Sequence, residues 1–171
     1  MMVTLSSSLD DIDKLIKSVK AYKENFNRKV EILKEKLAEY GAYVARIEFT
    51  NAFYAGENDV EIEVKHEKNR SIILAKGEAV GFIEFGTGVT NPDHPLKGEL
   101  GIPDHGTYGQ GKGKNRAWAY YGKQGTAGRF LKTTKKGDLF LTQGNPPASA
   151  MYIATREIRD KLPQMIKEVF S

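Results

Sequence analysis

Apolar residues in the first quarter of the chain recur every three or four positions: Ile12, Leu15, Ile16, Val19, Tyr22, Phe26, Val30, Leu33, Leu37 and Tyr40. That spacing follows one face of an α-helix and predicts a helix from Leu9 to Tyr40. Ser8 stands where an N-cap falls, with Asp11 three residues on and acidic residues in the first turn, and Gly41 stands where a left-handed C-cap falls. At 1.5 Å per residue the rod is roughly 48 Å long. A domain of this size does not need that length to cover a sheet, so part of the helix is expected to project or to meet a neighbour.

Beyond Gly41 the period changes to two. Tyr43, Ala45, Ile47 and Phe49 alternate with Val44, Arg46, Glu48 and Thr50, and Val60, Ile62 and Val64 alternate with Glu61, Glu63 and Lys65. The pattern predicts two half-buried strands joined through residues 55–59 as an antiparallel hairpin with a wet, acidic face. A further strand is expected over Ser71 to Ala75, and residues 78–85 read as a helical turn in preference to a buried strand. Residues 86–144 hold 13 of the 17 glycines and few apolar residues before Trp118, so a long basic loop, mobile over 89–116, is expected there. Short strands should return at Ala117 to Tyr121 and Leu139 to Thr142. Asn145-Pro146-Pro147 then ends the sheet and launches a helix over 148–170, with Met151, Thr155, Ile158, Leu162, Ile166 and Val169 on one face and Pro163 kinking or splitting it. The expected fold is a single α+β domain over 1–171: an antiparallel sheet within 43–85, packed by the long N-terminal and the C-terminal helix, with the Gly-rich loop inserted.

With 171 residues and 40% hydrophobic content, the chain has the length of one domain and should bury about two thirds of its unfolded surface. Its longest uncharged run, Leu139 to Thr155, is interrupted by Gly144-Asn145-Pro146-Pro147, so no membrane span is predicted. The start of the sequence has neither the basic residues nor the apolar stretch of a secretion signal, which points to cytoplasmic synthesis. Zero cysteines exclude disulfides, thiolate metal sites and cysteine nucleophiles. The net charge of +4 is unevenly spread. Residues 42–85 carry 5 basic and 8 acidic side chains, whereas residues 86–147 carry 9 and 4. Such blocks could attract one another between subunits, or the basic one could face an anionic partner; the plain alternative is a solvated surface.

Candidate chemistry is sparse. Residues 106–113 spell most of a phosphate-binding loop, but Gly113 stands where Ser or Thr would hold magnesium, and no buried strand precedes the glycines. Asp93-His94 and Asp104-His105 offer four metal-ligating side chains at a spacing that matches no metal signature, against the simpler reading as polar turns. Glu84, among apolar neighbours, is a candidate acid–base group or a structural hydrogen-bond acceptor. Lys112, Lys114 and Arg116, then Trp118, Tyr120 and Tyr121, then Lys123 and Arg129, interleave basic and aromatic residues as a nucleic-acid contact would, unless the aromatics are the core side of a returning strand.

Three segments in order carry a resemblance: Gly81-Phe82-Ile83-Glu84-Phe85-Gly86-Thr87-Gly88, then Trp118-Ala119-Tyr120, then Thr142-Gln143-Gly144-Asn145-Pro146-Pro147-Ala148 leading into Met151-Tyr152-Ile153-Ala154. In this the chain resembles the head-tail joining, or tail-completion, family of long-tailed bacteriophages and related prophage or tail-like particles. It departs in the insertion at 89–116 and in placing Ser149-Ala150-Met151 where members often have a Pro-Phe-Met-like run. The resemblance implies a structural virion protein of the neck, made in the host cytoplasm, without catalysis, cofactor or metal. It implies a homo-oligomeric ring, six-fold, that docks the tail terminator or tail tube to the head connector, with DNA possible in the lumen. Glu84, Phe85, Gly86, Thr87 and Gly88 are then the family motif and its turn, and the acid-to-base charge split suits a head-to-tail ring interface. A tail-terminator protein capping the tail tube is the nearest alternative. A small nucleic-acid-binding protein using Lys112, Lys114, Arg116, Lys123 and Arg129 is the alternative of another class, and a hydrolase built on the two Asp-His pairs stands third.

Overall fold

The computed structural model describes residues 9–87, 98–99 and 117–171. In chain order they form α1 (Leu9–Thr50), β1 (Glu61–His66), β2 (Ser71–Lys76), α2 (Val80–Phe85), β3 (Trp118–Tyr121), β4 (Arg129–Thr134), β5 (Gly137–Thr142) and α3 (Ala150–Phe170). The fold is α+β, with a long N-terminal helix, a C-terminal helix and antiparallel strands. The strands make two sheets instead of the expected one: β1 with β2, and β3 with β5 and β4. Apart from Gly98 and Glu99, the expected mobile loop over 89–116 lies outside the described residues.

The largest correction concerns the end of α1, which does not stop at Tyr40. It runs 42 residues to Thr50, about 63 Å at the helical rise, so the expected strand over Tyr43–Thr50 is the last two turns of the helix. The alternation of Tyr43, Ala45, Ile47 and Phe49 coincides with a second pattern that wins. Ala38, Ala42, Ala45 and Phe49, three or four apart, are buried together with Gly41, whereas Tyr43 and Ile47 are exposed. Alanines favour the helix and their small side chains let other elements approach. Gly41 is therefore no C-cap. It is buried in mid-helix, where a Cβ would collide with the Ile158 side chain and lie 2.8 Å from Ile73 Cδ1.

The hairpin forms with a different partner from the one expected. β1 pairs with β2 in a register running from Glu61↔Lys76 to His66↔Ser71, closed by a turn in which the Glu67 N–H donates to the Arg70 carbonyl at 2.8 Å. Residues 52–60 are instead the link from α1. β3 and β5 lie where strands were expected, and α2 is the expected helical turn. β4 was not anticipated, because five of its six residues are exposed and it lacks the apolar alternation that marks a half-buried strand.

α3 runs antiparallel to α1: Ala154 packs with Val44 and Ala45, the Tyr40 hydroxyl donates to Glu157 at 3.1 Å, and the Phe170 ring meets Phe26 at 5.5 Å. Its buried residues are Ala150, Ala154, Met165 and Val169, a face rotated from the expected one, with Thr155 and Ile166 outside. Pro163 does not split the helix. It sits on the exposed side, so the hydrogen bond it cannot donate is lost on the solvent face while Met165 and Val169 stay buried. The main core cluster joins Phe49, Ala52, Ala79, Ile83 and Ala150. Ile83 and Phe49, 0% and 2% exposed, each contribute roughly 1.5–3 kcal/mol by burial. No described helix is long and apolar enough to cross a membrane. Residues 9–28 of α1 are exposed throughout, which is the projection expected from the helix length.

Candidate functional site

The first and third segments of the motif, 58 residues apart, meet in one buried latch at the base of α3. The α3 N-cap position is Ser149, held in the left-handed region (φ 52°, ψ 34°) with no side-chain cap of its own. The first turn of a helix leaves backbone N–H groups without partners. Here Glu84, at the end of α2 and 6% exposed, supplies the cap from a distance. Its Oε2 accepts from the Met151 N–H at 3.0 Å and its Oε1 from the Tyr152 N–H at 3.4 Å. A carboxylate is suited to that place because the helix N-terminus carries partial positive charge. The backbone adds two bonds across the same junction, Ala148 N–H to the Ile83 carbonyl at 2.8 Å and Ser149 N–H to the Glu84 carbonyl at 3.2 Å.

The second half of the latch is a bridge between Thr87 and Asn145, whose backbones exchange hydrogen bonds at 2.9 and 3.1 Å. The Thr87 hydroxyl donates to Asn145 Oδ1 at 2.5 Å, and Asn145 Nδ2 donates to the Phe82 carbonyl at 2.9 Å. Asn145 is 1% exposed, so its amide is satisfied entirely within the protein, as a buried polar group must be. Gly86, between the two halves, adopts φ 73° and ψ 170°, a conformation open in practice only to glycine. A Cβ there would sit 2.8 Å from Pro147 N and 2.9 Å from the Asn145 carbonyl oxygen. Phe85 is half-buried, and Gly88 lies outside the described residues.

Asp59 is a second remote cap. Its carboxylate accepts the Glu78 and Ala79 N–H groups at 2.7 and 2.8 Å at the entrance to α2. The Ala79 and then the Glu78 hydrogen bond hold its carboxyl below the usual 3.8. Because the folded-state value is depressed, the contribution of Asp59 to stability is complete above the ordinary value and is lost as the pH falls through the lowered one. Asp59→Asn should therefore lower the melting temperature at pH 6 and leave less of a decline between pH 4 and pH 2 than in the wild type; parallel acid melting curves would remove Asp59 as a cap.

Asp59 also lines a hollow of about 270 Å³ with Tyr54, Glu57, Phe82, Tyr120 and Lys123. Burial, then nearby Asp59, pushes the Tyr54 hydroxyl above its usual proton affinity, and burial does the same to Tyr120. Several polar groups here are engaged with the protein itself: the Tyr120 hydroxyl with the Ala55 carbonyl, and Lys123 with Glu57 at 2.6 Å. The last pair joins the basic block to the acidic one within a single subunit.

Of the expected partner or DNA contacts, Lys112, Lys114 and Arg116 lie outside the described residues. Lys123 and Arg129 line separate depressions, Arg129 with Phe53, Leu141 and Pro146 in one of about 580 Å³. The aromatics beside them divide. Trp118 and Tyr120 are half-buried, Tyr120 stacking on Phe140 at 5.6 Å, and only Tyr121 is mostly open, at 50% exposure. Both Asp-His pairs lie outside the described residues, among which no group of three or more His, Asp or Glu could hold a metal ion. Asp59 and Asn145 were not anticipated as functional groups; Asn145 had a signal, its place before two prolines. The chain matches no family model, no curated protein and no solved structure.

Proposed function

We propose that the protein is a structural component of a bacteriophage neck, a tail-completion or head-tail joining protein that works as a ring between the tail and the head connector. The observation that carries this reading is the latch. Glu84, Gly86 and Thr87 close on Asn145 to Ser149 through backbone and buried side-chain bonds, so the residues that carry the family resemblance act together as a scaffold joint. Glu84 is occupied as a helix cap, which is a structural use of the one buried carboxylate among the described residues. The joint also sets the two ends of the glycine-rich insertion, at Thr87 and, through β3 and β5, at Ala117. The basic cluster Lys112, Lys114 and Arg116 at the end of that insertion suits contact with an anionic neighbour, either an acidic subunit face or DNA in the lumen.

The ring draws on weak contacts multiplied by a template. Six modest interfaces formed on a preformed tail end gain avidity that an isolated pair lacks. Deleting the gene should leave filled heads and separate tails that fail to join, with DNA replication unchanged, as read by electron microscopy of lysates. Normal infectious particles from the deletion strain would overturn the proposal. Tails of irregular length with faulty ends would move the protein to the terminator position, and a replication defect would favour nucleic-acid binding.

A further inference from the structure

The seam between α1 and α3 ends before α1 does. On α1 the positions Phe26, Leu33, Leu37, Tyr40 and Val44 repeat at helical spacing, and α3 covers this stripe until Phe170 closes on Phe26. Toward the N-terminus the same stripe continues with Tyr22, Val19, Leu15 and Ile12, in steps of three and four, flanked by Ile16 and Leu9. Those six side chains are 71%, 58%, 64%, 44%, 46% and 81% exposed. At roughly 150–250 Å² for an aromatic side chain and about 100 Å² for an aliphatic one, they and Phe26 leave on the order of 500 Å² of apolar surface open on one helix face. That is the size of the largest patch on a typical monomer, about 300–600 Å² and often functional, and it matches the apolar share of the roughly 800 Å² that each partner gives to a stable interface.

We propose that this face is covered by the same segment of a second copy, lying antiparallel, so that two chains pair through residues 9–26 of α1. The partner helix takes the place of an extended α3. In the register that sets Ile12 beside Tyr22 and Leu15 beside Val19, its first turn starts just beyond Phe170 and prolongs the existing seam, knobs into holes. Charge selects this direction. In this register Asp11 of one copy is level with Lys23 of the other and Asp13 is one step from Lys20, whereas a parallel pair would set Lys20 and Lys23 level with their own copies. Lys17, at the two-fold centre, is on the opposite face of the helix. The negative end of each α3 also meets the positive end of the partner α1. The contact is isologous and saturates at two chains, and it stands independently of the neck reading.

Sedimentation equilibrium of the full chain at micromolar concentration should return twice the 19.1 kDa subunit mass. Leu15→Glu with Val19→Glu should return the single mass and still unfold cooperatively, because both positions are exposed in the subunit, with a midpoint that no longer rises with protein concentration as the wild type's does. Direction is tested by disulfide trapping, which the absence of native cysteines permits. A mixture of Leu15→Cys and Val19→Cys chains should couple as the heterodimer in preference to Val19→Cys with itself. A monomeric wild type, an assembly whose mass survives the double substitution, or faster self-coupling of Val19→Cys would each overturn the proposal.

Discussion

Glu84→Ala should lower the unfolding free energy by roughly 3–4 kcal/mol, because two charge-assisted hydrogen bonds contribute about 1.5 kcal/mol or more each and their loss takes the carboxylate acceptor from two half-buried N–H groups. The Met151 and Tyr152 N–H groups lie 3.0 and 3.4 Å from the carboxylate, and Ser149, in a left-handed conformation, makes no side-chain cap. The same carboxylate faces the positive end of α3, so its charge adds to its acceptor role. Glu84→Gln keeps the shape and one acceptor, and should recover about half of the loss. Urea unfolding followed by circular dichroism separates the variants: equal midpoints for wild type and Glu84→Ala would show that α3 is capped by other means. Because the insertion leaves the fold beside this joint, the alanine variant should also be cleaved earlier by protease at the Thr87 end than the wild type.

The elements that were legible from the amino-acid order are those whose period had a single interpretation. α3, β2, β3 and β5 each carry a pattern bounded by glycine or proline, and each lies close to where that pattern puts it. The end of α1 was not legible because two periods fit the same eight residues. Tyr43, Ala45, Ile47 and Phe49 satisfy strand alternation, while Ala42, Ala45 and Phe49 satisfy the helix, and only the packing of Ala154 and Ile158 against this region decides between them. Gly41 reinforced the wrong boundary. A glycine near the end of a periodic run signals a cap when the following backbone turns away, and equally permits a close helix contact when it does not. β4 escaped for the opposite reason. Its pairing with β5 comes from backbone bonds, which have no signature in side-chain order when the strand is exposed.

At the latch, the residues were visible but their partnership was not. Glu84, Gly86 and Thr87 stand out as a short motif, and Asn145-Pro146-Pro147 as a helix start, yet nothing in their spacing says that one carboxylate caps a helix beginning 66 residues later. That pairing is a product of tertiary packing around Ile83, which is completely buried and positions the Phe82, Ile83 and Glu84 carbonyls toward Asn145, Ala148 and Ser149. The charge blocks were likewise visible without their geometry. Glu57 and Lys123 come from different blocks and meet within one chain, a contact that net charge by segment could not distinguish from attraction between subunits.

Two glycines that looked equivalent in sequence should respond to alanine with losses of very different size. Gly86→Ala is expected to cost on the order of 3–5 kcal/mol, since its φ of 73° with ψ of 170° is closed to residues with a Cβ at a cost of about 1–3 kcal/mol. The new methyl would also meet Pro147 N at 2.8 Å and the Asn145 carbonyl oxygen at 2.9 Å. Both are backbone atoms tied into the latch and cannot withdraw without breaking the Thr87 bridge. At Gly41 the methyl meets the ends of the Ile158 and Ile73 side chains, which can rotate, and alanine in a helix interior regains about 1 kcal/mol over glycine. Overpacking of about 1–3 kcal/mol is thus partly offset, leaving a net loss of roughly 0–2 kcal/mol. Thermal unfolding of the two variants side by side should place Gly86→Ala far below Gly41→Ala. If Gly86→Ala melts with the wild type, the backbone at the motif is free to rearrange and the latch is not the joint that holds α3 to α2; if Gly41→Ala proves the worse of the two, the strained element of the fold is the α1 to α3 contact.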